Sequence, residues 1–225
     1  MHKRYILIAA LLWAASVQYF VVQISIAVAS RHYNFISDAI SDLGNTGCGR
    51  FDGHYVCSAY PWLMNDSLIA LGASVLAGAL LFLAFYRPYR LRTRLGFVLM
   101  GVASIGIIMV GLFPENLAPT IHNAGADLGF LAGLMSIVII GIGLKVTKWL
   151  HYYTIAAALI AATGLILITT HNEDWVASGA AERAVASSEI IWLILFGVYI
   201  AFRLLRRPTL ELPLERKDEP NIFQI

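Results

Sequence analysis

The sequence predicts an all-α, polytopic membrane protein, a bundle of six transmembrane helices with both termini on the cytoplasmic side. Three observations predict it. The chain is 59% hydrophobic and 13% charged, with a mean hydropathy of +0.72, whereas a soluble domain carries about a quarter of its residues charged. Six apolar segments approach or exceed the roughly 17 to 25 residues that cross a bilayer. The Lys and Arg residues also sort by loop, every second loop being basic.

The segments run over residues 5–29, 66–86, 95–113, 121–144, 151–170 and 188–202. The first is too long for a signal-peptide core and lacks a convincing cleavage site, so it reads as a retained helix. Its Gln18, Gln23 and Ser25 are expected to hydrogen-bond between helices. The third carries Gly96, Gly101, Gly106 and Gly111 at a five-residue spacing that fits no single helix face. In the fourth, Gly125, Gly129 and Gly133 form a stripe that lets a neighbouring helix approach closely. The sixth is the shortest, and the Ala/Ser-rich stretch before it offers an earlier start.

Lys3 and Arg4 precede the first segment, Arg87, Arg90, Arg92 and Arg94 follow the second, Lys145 and Lys148 follow the fourth, and Arg203, Arg206 and Arg207 follow the sixth. The remaining loops, at about 30–65, 114–120 and 171–187, hold only Arg31, Arg50 and Arg183. The positive-inside rule places these three outside, in a chain expected to lie in the plasma (inner) membrane. Residues 1–207 form one membrane domain and 208–225 a polar cytoplasmic tail. A net charge of +2 without a basic patch gives no ground for a nucleic-acid partner. Membrane lipids are the expected surroundings.

Cys48 and Cys57 both fall in the first outward loop, where an oxidising compartment favours a disulfide. Gly47, Gly49 and Gly53 allow the chain to turn tightly there. A Cys/His metal site using His54 lacks the C-x2-C spacing such sites use. The same loop holds the polar stretch from Asn34 to Cys48, in which Ser37-Asp38 and Ser41-Asp42 repeat a Ser-Asp pair. Helix over 34–43 would align Asn34, Asp38 and Asp42 in one row, and stacked carboxylates call for a metal ion, a shared proton or cations. The plainer alternative makes Ser37 a helix N-cap and Ser41 to Gly44 a helix end.

Most other titratable groups outside the basic loops map to the same side. Asp66 opens the second segment, Glu115 follows the third, His122 opens the fourth with Asp127 below it, and His171, Glu182 and Arg183 follow the fifth. Ionisable residues at or inside a span are costly, which makes each a candidate. Three chemistries fit the residue types. Zinc or another divalent cation would draw on His122, His171, Asp38 and Asp66. An acid–base site would use Ser41, Asp42, Asp127, Glu182 and Arg183, with a Ser-His-Asp arrangement possible by residue type but no G-x-S-x-G elbow. An ion or proton path past Asp66 and Asp127 finds few partners in the inner half of the helices. Histidines that merely hydrogen-bond at helix ends remain the plain alternative. The leading expectation is an outward hydrolase-like site for a lipid or lipid-linked substrate, and its rival is a ligand-binding or partner-binding protein or a small transporter.

Ile36-Ser37-Asp38, Ile40-Ser41-Asp42-Leu43-Gly44, Asn65 with Ser67, Gly111-Leu112-Phe113-Pro114-Glu115, His122, and Gly179 with Glu182-Arg183 together resemble an uncharacterised family of prokaryotic multi-pass membrane proteins, domain of unknown function number 998. The resemblance covers about residues 5–205. It implies six helices and no particular activity. A weaker similarity is to the intramembrane hydrolases that include alkaline ceramidases, in which Ser, Asp and three His hold zinc. The present chain departs from them in having six segments instead of seven and no H-x3-H pair.

Overall fold

The computed structural model describes residues 2–51, 53–85, 91–144, 146–170 and 178–206. Its helices are α1 (His2–Ala14), α2 (Val17–Ala29), α3 (Pro61–Phe85), α4 (Leu91–Leu112), α5 (Pro119–Gly143), α6 (Lys148–Thr170) and α7 (Ser178–Arg206). Among the described residues, six helical runs are long and apolar enough to cross a membrane, α1 and α2 forming one of them over Lys3–Ala29. Large apolar side chains such as Val28, Leu80, Leu131, Leu159 and Leu205 point away from the protein interior. That pattern suits a surface solvated by lipid.

The expected single first helix is broken at Ala15-Ser16. There Ser16, Gln18 and Tyr19 donate their N–H groups three residues back instead of four, tightening the turn. The other spans begin earlier than hydropathy alone places them, because polar residues such as Asn65, Thr93 and Thr120 continue the helices past the apolar runs. The last span starts at Ser178, ten residues before 188, so Glu182 and Arg183 lie on a helix and not in a loop.

Neighbour contacts run α1, α3, α4, α5, α6, α7 and back to α1, closing the bundle into a ring. The last span is 67% buried over its most apolar window against 22% for α6, which makes α7 the most enclosed of the spans. Trp13 of α1 is fully buried, donates its indole N–H to the Val75 carbonyl at 3.0 Å, and lies among Phe82, Phe97, Trp192 and Phe196. A side chain on Gly78 would strike its indole ring.

Helix α4 packs between α3 and α5, and this explains its odd glycine spacing. Gly96 and Gly106 face α5, while Gly101 and Gly111 face α3. Alternate glycines thus serve different neighbours. Gly106 meets the backbone of Gly125 and Gly129, so two members of the α5 stripe serve the α4 contact, and the third, Gly133, faces Glu189 of α7. Gln18 and Ser67 exchange hydrogen bonds between α2 and α3 as expected, but Gln23 Nε2 is buried without a partner and Ser25 is exposed.

The segment joining α2 to α3 departs from the all-helical expectation. Residues 34–43 are not a helix: they form turns that end in a 3-10 turn over Ser41–Gly44. A short antiparallel hairpin follows, β1 (Gly49–Phe51) with β2 (His54–Val56), in the register Phe51 to His54. Gly53 turns it with a φ of 82°, a conformation that glycine adopts without steric cost. The Cys48–Cys57 disulfide closes the hairpin.

Trp13→Ala should lower stability by about 3 to 5 kcal/mol, since it opens a cavity in the aromatic core and leaves the Val75 carbonyl without its indole donor. Thermal unfolding in detergent checks this. A melting temperature equal to that of the wild type would mean that the cluster is not the packing centre.

Candidate functional site

The polar stretch that sequence singles out is fastened to the start of α7. Gly179 and Ala180 donate backbone N–H groups to the carbonyls of Ser37 and Ile36, and Ser178 Oγ donates to the Ser37 carbonyl at 2.7 Å. Arg183 Nη1 donates to the carbonyls of Phe35, Asp38 and Gly179 at 2.8 to 3.0 Å. Its Nη2 meets the Tyr33 hydroxyl, and the guanidinium lies over the rings of Tyr33 and Phe35. Burial pushes the Tyr33 hydroxyl above its ordinary value, so it keeps its proton and donates it to the Ala39 carbonyl at 2.8 Å. Arg183, like Arg31 and Arg50, is a cation that could pair with one of the two carboxylates. Among its hydrogen bonds it instead holds backbone, because three carbonyls converge where its fork arrives.

The two Ser-Asp pairs separate as a consequence. Asp38 accepts from the Asn34 N–H at 2.9 Å and from Ser37 Oγ at 2.6 Å, and it lines a shallow hollow with Arg31, His32 and Tyr55. Asp42 is 4% exposed and accepts from the Ala39 N–H and from His54 Nε2, each at 2.9 Å. Leu43 is buried, and Gly44 abuts Asn65, whose Nδ2 donates to the Gly44 carbonyl at 2.9 Å. Asn45 and Thr46 then hydrogen-bond with Asn116, directly after Pro114-Glu115. The Ser-Asp-Leu-Gly and Phe-Pro-Glu pieces are therefore neighbours in space.

Below this cap lie two connected spaces. A cleft of about 420 Å³ is walled by the loop (Ser41, Asp42, His54), by Glu115, by α5 (His122, Asn123, Asp127), by the end of α6 and by Glu182 of α7. Deeper, a chamber of about 70 Å³ is walled by Tyr19, Leu71, Ile107, Val110, Ile190 and Glu189, among others. Ser41, His122, Ala126, Phe130 and Glu182 line both. His122 is 6% exposed, and its Nδ1 lies 2.9 Å from the Phe113 carbonyl. A carbonyl only accepts, so Nδ1 carries a proton. Glu182 Oε2 accepts from the Ile40 N–H at 2.6 Å.

Of the residues named from sequence, Ser41, Asp42, His122, Asp127 and Glu182 thus share the cleft. Three do not. Asp66 is on the exposed side of α3, since Asn65 and Ser67 take the inward positions, and Asp38 and Arg183 are engaged as described above. His171 lies outside the described residues, as do Glu173 and Asp174 and the tail at 208–225. Among the described residues, no three His, Cys, Asp or Glu side chains converge to hold a metal ion.

Sequence reasoning did not single out Glu189 or assign His54 to an acidic partner. Glu189 was findable, because it is an acid inside an apolar span, two turns from Glu182 on one face. The pairing of His54 with Asp42 depends on the hairpin, whose Asp-Gly turn signal is present in the sequence.

Comparison with known proteins gives a match to the model of one family, described as protein of unknown function (DUF998), over residues 8–199. The chain belongs to that family. No curated protein and no solved structure matches it. Within this DUF998 member, the motif residues that carried the resemblance are the ones that cap the bundle and line the cleft.

Burial pushes the Asp42 carboxyl above the usual carboxylate range, the hydrogen bond and charge of His54 pull it down, and the nearby Glu115 carboxylate pushes it up. A carboxyl raised in the folded state binds more protons there than in the unfolded chain, so its stabilisation is complete below the unfolded range and falls as pH rises through the folded value. In His54→Ala the Asp42 carboxyl should rise further, and the loss of stability with rising pH should be deeper and occur at higher pH. Melting temperatures of both proteins between about pH 4 and 8 test this, the range spanning ordinary carboxylate and histidine titration. Superimposable profiles would show that the pair does not control Asp42.

Proposed function

We propose that the cleft and chamber together form an outward-facing binding site for a small organic cation with an apolar body. One observation carries the reading: the polar cleft and the apolar chamber share five lining residues, so a single ligand can occupy both. Charge supplies its sign. Asp42, Glu115, Asp127 and Glu182 line the cleft, no Lys or Arg among the described residues lines either space, and Arg183 is bonded to backbone carbonyls. A concave site with low-dielectric walls and one sign of charge concentrates ions of the opposite sign. The positive-inside rule supports the orientation, because Lys3, Arg4, Arg92, Arg94, Lys148, Arg203 and Arg206 gather at the helix ends away from the disulfide loop.

The fully buried aromatic cluster below Glu189 argues against a continuous path through the bundle. Binding from one side is therefore favoured over transport.

A second reading is favoured by the Asp42–His54 pair. A carboxylate that holds a histidine ring is the orienting half of an acid–base pair, and Ser41 lines the same cleft. In that reading the site hydrolyses a lipid or lipid-linked ester without a metal. Hydrolysis of p-nitrophenyl butyrate that is lost in His54→Ala is the outcome that would favour it.

For the binding reading, calorimetric titration of the detergent-purified protein with 1-aminohexane and with hexanoate compares one chain under opposite head charges. The amine should bind at least about tenfold more tightly, equivalent to about 1.4 kcal/mol. Equal binding, or preference for hexanoate, would overturn the reading.

A further inference from the structure

Seven residues separate Glu182 from Glu189 on α7. Two turns return to nearly the same face and rise about 10.5 Å, so the carboxyls stand one above the other. Glu182 is at the mouth, where cleft and chamber meet, and Glu189 lines the chamber alone. Glu182 keeps one oxygen beyond its bond to Ile40. Glu189 is 8% exposed, its Oε2 accepts from the Leu134 backbone N–H and fills the place a side chain on Gly133 would take, and its Oε1 has no hydrogen-bond partner.

A carboxyl oxygen left without a partner at this depth is unfavourable unless a ligand pairs it. The chamber wall is mostly hydrocarbon, from Leu71, Ile107, Ala186 and Ile190, and no Lys or Arg among the described residues lines it. Two acceptors separated by an apolar wall complement a molecule with two donors separated by a chain. The chamber volume of about 70 Å³ holds roughly five to seven water-sized groups at about 10 to 15 Å³ each. Four methylenes hold terminal nitrogens about 6 Å apart, and a charge-assisted hydrogen bond of about 2.8 Å at each end brings the reach to about 10 to 12 Å.

We propose that the chamber binds a linear α,ω-diamine of about four or five carbons, with one ammonium on Glu189, the other on Glu182, and the methylenes against the apolar wall. This rests on the organic-cation reading and specifies its ligand. Two ammoniums meet two carboxylates, so the filled chamber is neutral overall, the condition under which buried charge is tolerated. A single amine would satisfy only one acid. An anion would meet two like charges.

Calorimetric titration of the full-length, detergent-purified protein with 1,4-diaminobutane, 1-aminobutane and 1-butanol tests the proposal. The diamine should bind at least about tenfold more tightly than the monoamine, and butanol more weakly than either. Glu189→Gln should remove the diamine preference while 1-aminobutane still binds at Glu182. Ala186→Leu, which fills the space between the acids without touching either charge, should remove diamine binding as well and covers the case in which the first variant does not fold. Equal affinities for diamine and monoamine, or a folded Glu189→Gln protein that binds diamine as the wild type does, would overturn the diamine proposal and leave the organic-cation reading standing. Binding of neither amine would overturn both.

Discussion

The site depends on the attachment of residues 33–40 to the first two turns of α7, about 140 residues away in sequence. The N-terminal N–H groups of a helix have no partner within it and must find acceptors elsewhere. In this protein the carbonyls of Ile36 and Ser37 supply them, and Arg183 gathers further carbonyls one turn on. A polar loop that would otherwise be free at the membrane surface becomes a fixed lid. Gly179 is required at the contact, because a side chain there would strike the Asp38 carbonyl.

Using Arg183 in this way sets the electrostatics of the space beneath. A guanidinium hydrogen-bonded to backbone cannot also form a close bidentate pair with Asp42 or Glu182. The cleft therefore keeps an excess of carboxylates, moderated at Asp42 by His54. Helix α7 also carries the two acids of the chamber, so one helix contributes the lid's anchor, the mouth and the floor. Its deep burial relative to α6 has this functional corollary.

The membrane-spanning architecture was legible because hydropathy and helix length follow directly from the bilayer as solvent. The glycines of α4 were not legible individually, since their purpose appears only when α4 is seen to have a neighbour on each side. The i, i+4 pattern of acids over 34–43 suits a helix, and these residues form turns. The backbone there bonds to side chains and to α7 instead, an option Asn, Asp and Ser offer readily. Asp66 was misplaced for a related reason: polarity at a helix start marks a candidate but not the face it occupies. Glu182 was taken for a loop residue because the last span was begun at the apolar run, and placing that start at 178 brings Glu182 and Glu189 into line.

In the proposed binding reading, a water-accessible, negatively charged site opens on the outer side of the membrane between α5 and α7. Both described cysteines are in the disulfide, so an added one would be the sole free thiol among the described residues. Ala126→Cys places that thiol where cleft and chamber join. Reaction rates on intact cells with membrane-impermeant methanethiosulfonates of opposite charge, each normalised to a free thiol in solution, report access and sign together. The account predicts labelling from outside, with the cationic reagent favoured by about tenfold or more, as a charged concavity of this kind produces. Absence of outside labelling, or faster reaction with the anionic reagent, would contradict it.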